Sequence, residues 1–213
     1  LNNTGTIYGI NGPVIYLKGK TGFKMSEMVH VGDDKLVGEV ISLDKDTTII
    51  QVYEETSGLK PGESVKATGS PVSVTLAPGI LNNIFDGIER PLEKIAENSG
   101  AFISRGVNVN ALDNEKKWST HITVAPGDIV SGGTIIAEVP ETPAILHKCM
   151  VPPTVSGKVT SVVPDGEYTI DEPLITIQLL DGSEQKLSMT QKWPIRVPRP
   201  VQHRYFAGKP LVT

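Results

Sequence analysis

Leu36-Val37-Gly38-Glu39-Val40-Ile41-Ser42-Leu43-Asp44-Lys45-Asp46-Thr47-Thr48-Ile49-Ile50-Gln51-Val52-Tyr53 reads as two β-strands joined by a tight charged turn. Aliphatic and β-branched residues fill both halves, and Asp44-Lys45-Asp46 separates them with turn-forming types. The alternation sends Val40, Ile41, Ile50 and Val52 to inside and interface positions and turns Glu39 and Gln51 outward. Working outward, residues 6–10, 14–17, 27–31 and 64–67 repeat the pattern between Asn11-Gly12-Pro13, Gly32-Asp33-Asp34 and Lys60-Pro61-Gly62. Six short strands at this spacing predict a small closed barrel, because closure removes the exposed edges of a short sheet.

Composition agrees with a mainly β chain. The 213 residues include 21 Gly and 16 Pro, an excess over ordinary usage that calls for many turns. The net charge is −4 and 38% of residues are apolar, enough for a packed core and too apolar for wholesale disorder. No apolar run approaches the roughly 18 residues of a membrane span, and no secretory leader is recognisable, so a cytoplasmic location is expected. A single cysteine, Cys149, excludes an internal disulfide and a four-thiolate zinc site within one chain.

Past Ala77 the period changes. Ile80, Leu81, Ile84, Phe85 and Ile88 fall at helical spacing, which predicts a helix there. Pro91 opens a second short helix over 92–98, with Gly100 just past its end. From about Asp113 to Met189 the chain returns to strands, with Asp165-Gly166 and Asp181-Gly182 as hairpin signals. No acidic residue follows Glu184, so six basic groups (Lys186, Lys192, Arg196, Arg199, Arg204 and Lys209) leave the preceding residues at −10. Prolines keep that tail extended, and it is expected to pack on a neighbour absent from this chain. Trp193, Tyr205 and Phe206 give it a nucleic-acid look, but the acidic whole argues against nucleic acid as a partner.

The chemistry-bearing motifs are incomplete. Gly19-Lys20-Thr21 lacks the upstream glycine of a phosphate loop, where Val14 stands, and no helical pattern follows; a hairpin turn is the better reading. His30, His121, His147 and His203 are scattered, and the one close couple, His147 and Cys149, shares a strand face without further metal ligands. Gly-x-Ser-x-Gly is absent, and the sequon Asn2-Asn3-Thr4 would need a secretory route. Gly127-Asp128-Ile129-Val130-Ser131-Gly132-Gly133-Thr134-Ile135-Ile136 and Pro153-Thr154-Val155-Ser156-Gly157-Lys158-Val159 look like two strands of a biotinyl or lipoyl carrier. The carrier spacing puts the acceptor lysine near position 143, which is Pro143. A barrel-sandwich module without carrier chemistry is the expectation, and a carrier or binding module lacking its acceptor lysine is the alternative reading.

Several segments together resemble the catalytic A subunit of V/A-type rotary ATPases. Gly5-Thr6-Ile7 through Asn11-Gly12-Pro13-Val14, Leu36-Val37-Gly38-Glu39-Val40-Ile41 and Gln51-Val52-Tyr53-Glu54-Glu55-Thr56-Ser57-Gly58-Leu59 are similar to its barrel segments. Leu76-Ala77-Pro78-Gly79-Ile80-Leu81, Ile84-Phe85-Asp86-Gly87-Ile88-Glu89-Arg90-Pro91-Leu92 and Gln191-Lys192-Trp193-Pro194-Ile195-Arg196 are the most specific matches, in family order.

The resemblance implies a six-stranded crown barrel over 1–70 and, over 71–112, a connecting segment at the edge of a truncated nucleotide-binding domain. It further implies a β-rich bulge domain over 113–189 and a return strand over 190–213. Its implied partners are B subunits in an alternating hexameric ring, with peripheral stalk subunits reached through the bulge. The complex would sit peripherally on a membrane without direct insertion of this chain. The family's P-loop, catalytic glutamate and helical domain are expected beyond Thr213, so the resemblance assigns no catalytic, cofactor-binding or metal-binding residue here. ATP and Mg would belong to the intact subunit, which hydrolyses or synthesises ATP coupled to H+ or Na+ transport.

Overall fold

The computed structural model describes residues 3–81, 83–100, 105–107 and 109–201. Its first part is a closed barrel of β1 (Thr4–Asn11), β2 (Val14–Lys18), β3 (Glu27–Val31), β4 (Leu36–Asp44), β5 (Thr47–Val52) and β6 (Ser64–Pro71), in the order β1-β2-β5-β4-β3-β6. The expected six strands and their closure are both present. Gly12, at φ +55°, lets Gly12-Pro13 turn the chain in two residues between the paired Asn11 and Val14. Ile15, Leu17, Val29, Val31, Leu36, Val40, Ile50, Val52 and Val65 alternate inward to form the barrel core, with Ile7 and Phe23 completing it.

Two expectations about the barrel need correction. Glu39 does lie on the outward side of β4, but it is buried, because the chain after residue 190 crosses that side. Gly19-Lys20-Thr21 is no hairpin: β2 and β3 are not neighbours, and the loop between them drops the Thr21 hydroxyl 3.1 Å from that of Thr48 in the buried interior.

A second β body follows. One four-stranded sheet runs β11 (Ile145–Met150), β10 (Ile135–Thr142), β8 (Trp118–Ile122), β13 (Gly166–Tyr168). The other runs β15 (Glu184–Leu187), β14 (Ile175–Leu179), β12 (Ser156–Val162), β9 (Ile129–Ser131). Ile136, Val139, Val151, Val159, Leu174, Ile175 and Ile177 belong to their shared core. The Asp181-Gly182 signal marks a real hairpin, with Gly182 at φ +84° and Asp181 Oδ1 accepting the Ser183 N–H. Asp165-Gly166 does not. There β13 pairs with distant β8, and the Asp165 carboxylate accepts the Ile122 N–H at 2.8 Å.

Between the two bodies, β7 (Ser73–Leu76) pairs with β16 (Gln191–Pro194), bringing the outgoing and returning chain together. The only α-helix among the described residues is α1 (Leu92–Ser99), with Pro91 at its N-cap and Gly100 at its C-cap. The helix expected over 80–88 is replaced by turns. Asp86 Oδ1 takes the Ile88 N–H, which a helix would give to Ile84, together with that of Arg90, and Glu141 Oε1 ties the Gly79 and Leu81 amides to the second β body. Ile80 and Phe85 pack on the core of the second β body instead.

Candidate functional site

Three arginines from outside the barrel meet three acidic residues on it. Arg196, just past β16, forks onto Glu39, with Nε 2.5 Å from Oε1 and Nη2 2.7 Å from Oε2. The Tyr53 hydroxyl donates to the same Oε2. The carboxylate is almost sealed, at 2% exposure, while the Arg196 side chain is 57% exposed. The hydrogen bonds from Arg196 hold the Glu39 carboxyl below the usual range despite burial, and Tyr53 assists. Burial, and then the hydrogen bond to Glu39, push the Tyr53 phenol up.

The second fastening joins Arg90 to the barrel. Its Nη1 lies 3.4 Å from Glu54 Oε2, and its Nε donates to Asp86 at 2.6 Å. Glu54 also accepts the N–H groups of Val37 and Gly106. In the third, Arg105 Nη2 lies 3.2 Å from Asp34 in an exposed pair. Gly106 permits this approach: its φ is +66°, and a Cβ there would stand 2.1 Å from the Asp34 carbonyl oxygen. Together these contacts fix how the barrel sits on the rest of the chain.

The second β body is joined differently. Glu141, near the end of β10, binds the Gly79 and Leu81 amides through Oε1 at 2.7 and 3.1 Å, and its Oε2 lies 2.9 Å from His147 Nδ1. Burial favours the neutral acid, but those two amides and His147 outweigh it and keep the carboxyl low. His147 and Cys149 share a face of β11 as expected, yet they serve different ends. His147 meets Glu141, whereas Cys149 is buried in the core, its thiol pushed up to about 12 by burial and by the Glu141 charge. His121 instead pairs with Asp165 at 2.6 Å on an exposed face. Among the described residues no group of three or more His, Cys, Asp or Glu side chains converges as a metal site.

The basic tail packs on this chain in part, while Ile195, Val197 and Val201 stay exposed, so this packing does not test the expected neighbour. β16 pairs with β7, the Trp193 indole N–H donates to the Val197 carbonyl at 2.6 Å, and Arg199 lies 4.9 Å over the Trp193 ring. His203, Arg204, Tyr205, Phe206 and Lys209 lie outside the described residues. In the carrier-like region, Pro143 and Ala144 form the tip of the β10–β11 hairpin, so the place where a carrier presents its lysine holds none.

Two family models match. Residues 7–69 fit the ATP synthase alpha/beta family β-barrel domain, and residues 109–196 fit the ATP synthase alpha/beta subunit barrel-sandwich domain. This chain belongs to the ATP synthase alpha/beta subunit family. It is 48% identical over its whole length to the V-type ATP synthase alpha chain of Halothermothrix orenii, of which it spans 36%. It is 51% identical over 98% of its length to the V-type ATP synthase alpha chain 2 of Clostridium tetani, spanning 35% of that protein. To the A subunit of the A-type ATP synthase of Methanopyrus kandleri it is 48% identical over 98% of its length, again spanning 35%. The chain therefore spans about a third of the length of these curated relatives. The β body of 118–187 is thus an ATP synthase barrel-sandwich, and the carrier alternative has no support from these matches.

The fastenings escape a reading of the sequence because each joins residues far apart. Arg196 and Glu39 are 157 positions apart, and neither carries a local signal. The acid-free basic tail is the one available hint, since a run of cations needs acidic partners somewhere.

Proposed function

We propose that this chain is the N-terminal assembly portion of the catalytic A subunit of a V/A-type rotary ATPase. Residues 1–70 supply the crown barrel, 71–112 the connector at the edge of the nucleotide-binding domain, 113–189 the bulge, and 190–213 the return toward the nucleotide-binding core. The intact subunit binds ATP and Mg and couples ATP hydrolysis or synthesis to H+ or Na+ transport, peripheral to the membrane on its cytoplasmic side. The 213 residues themselves contribute contact surfaces and no catalysis.

The observation that carries this reading is the outer wall of the barrel. Outside the charged contacts, Tyr8, Met25 and Leu43 are exposed, and Tyr16, Ile41 and Ile49 are half-buried on β2, β4 and β5. An apolar outer wall suits barrels standing side by side with B subunits in an alternating ring. On the sandwich, Ile129 (87% exposed) and Leu180 (94%) give the bulge an apolar surface suited to a peripheral stalk. Mixing this chain with the matching B-subunit barrel should produce a larger species by native mass spectrometry; persistent monomers at high concentration would refute the ring assignment. Deleting 113–189 from the intact subunit should impair stalk attachment and coupling, and unchanged coupling would refute the role given to the bulge.

A further inference from the structure

Beside the Glu141 junction lies a cavity of about 320 Å³ whose lining includes Gly79, Lys94, Asp113, Lys116, Trp118 and Glu141. Its hydrogen-bonding groups are unevenly committed. Both oxygens of Glu141 are engaged, by the Gly79 and Leu81 amides and by His147. Asp113 Oδ1 accepts the N–H groups of Glu115 and Lys116. The donors are less occupied. Trp118 is 6% exposed, and its Nε1 is buried with no hydrogen-bond partner among the described residues. The same edge of the indole faces Gly79, since Cζ2 lies 3.4 Å from where a Gly79 Cβ would stand. Lys116 Nζ sits 3.8 Å over the Trp118 ring, and among the described residues neither Lys94 nor Lys116 has an ion-pair partner at contact distance.

Asp113 Oδ2 is the one carboxylate oxygen of the lining without a hydrogen bond among the described residues, and its charge acts on both lysines. The spare donors, an indole N–H and two ammonium groups, outnumber it, which is complementary to an acceptor-only ligand. We propose that this cavity binds a small oxyanion, a phosphate or short carboxylate group, on the Trp118 indole N–H and the ammonium groups of Lys94 and Lys116. The volume admits such an anion with part of its water shell. Two lysines facing two carboxylates give no net attraction at long range, so binding is set by contact geometry and is modest. The site joins the connector, α1 and the sandwich, and occupancy would stiffen the attachment between them.

The test is an indole N–H titration of the ¹⁵N-labelled chain. Its two tryptophans give two indole signals, and Trp193→Phe assigns them. Inorganic phosphate should move the Trp118 signal saturably, with half-saturation near about 1 mM, while the Trp193 indole, already bonded to Val197, stays still. Sodium chloride at matched ionic strength should move neither. Sodium acetate is the second probe: a response to phosphate alone assigns a phosphate-type ligand, and a response to acetate alone a carboxylate. Lys94→Gln with Lys116→Gln should weaken the response at least about tenfold, with the methyl signals of the sandwich core, Leu174 and Ile177 among them, unchanged to certify folding of the body that carries the site. A Trp118 signal that neither anion saturates, that chloride moves equally, or that responds as before in the folded double variant overturns the proposal. Should the double variant fail to fold, Lys116→Gln alone, at an exposed position, carries the same comparison.

Discussion

The barrel keeps its core to itself: every buried apolar residue in it comes from its own strands or, for Phe23, from its own loop. The sandwich core instead takes in Ala77 and Leu112 from the connector, with Ile80 and Phe85 packed against it. The barrel is attached through charge, by Arg196, Arg90 and Arg105; the sandwich is attached largely through shared apolar packing. A closed wall leaves no edge and no open core face, so within this chain it is held from its outer side, and here by polar fastenings. An open pair of sheets has faces that the connector can cap. The barrel should thus loosen as a separate unit, while connector and sandwich rise or fall together.

Cavities in the two cores give the largest test. Ile50→Ala in the barrel and Leu174→Ala in the sandwich should each cost about 2–5 kcal/mol in chemical denaturation. Cys149 distinguishes them, since it reports on the sandwich only. Its thiol, pushed from 9.0 to about 12, holds about a thousandfold less thiolate than an unperturbed one, so labelling waits on opening. Leu174→Ala should speed labelling and Ile50→Ala should not. Leu112→Ala should also speed it, although Leu112 lies outside every strand of the sandwich. Equal labelling of the Ile50→Ala and Leu174→Ala variants would mean that one cooperative unit spans both bodies.

Next in size is Glu39→Gln, which keeps the shape and removes the charge from the Arg196 fork. The loss should be about 1.5–3 kcal/mol in the stability of the barrel attachment, the range for hydrogen bonds to charged groups. Because the folded carboxyl titrates below its usual range, its contribution is full above the unfolded value and fades as pH falls through the folded one. Wild-type barrel amides near Glu39 should therefore lose hydrogen-exchange protection on acidification below about pH 4. The Glu39→Gln variant should show that lower protection already at neutral pH, with a flatter acid limb. An unchanged acid limb would mean that other contacts hold the barrel in place. Gly106→Ala strikes the same junction through the backbone. A Cβ 2.1 Å from the Asp34 oxygen at φ +66° forces the connector off the barrel, at about 1–3 kcal/mol.

The barrel is legible in the sequence because its signals are local. Alternation with period two and turns at Gly12, Lys45-Asp46 and Pro61-Gly62 need no distant partner, and the resemblance to rotary ATPase barrels rests on the same strands. The outward face given to Glu39 is right, but there the solvent is replaced by Arg196. The 80–88 segment misleads for the corresponding reason. Its apolar spacing suits a helix, but Glu141, some sixty positions later, holds the amides of Gly79 and Leu81 at its start, and Asp86 claims that of Ile88 within it and that of Arg90 just past it. The Trp118 cavity is invisible, since an indole with a spare N–H looks in sequence like any other core aromatic. Long-range polar contacts, unlike strand periods, leave no trace in the order of neighbouring residues.

The smallest effect should come from the same carboxylate-to-amide change on the open face of the sandwich. Asp165 hydrogen-bonds His121 at 2.6 Å, closer than Arg90 stands to Glu54, yet both members are more than half exposed. The Asp165 hydrogen bond, and then its charge, raise the His121 pKa, while the Ile122 N–H and then His121 lower that of Asp165. For His121 the raised value means a contribution complete below the unfolded imidazole pKa and lost as pH rises through the folded one. Salt and water screen that contribution on an exposed face, so Asp165→Asn, which keeps an oxygen for the Ile122 N–H, should leave the unfolding midpoint unmoved. The His121 titration followed by NMR should nevertheless fall back toward the ordinary imidazole range. A clear loss of stability in Asp165→Asn, matching that of Glu39→Gln, would show that distance rather than burial sets the worth of these pairs. The contrast drawn between a covered fastening and an open one would then fail.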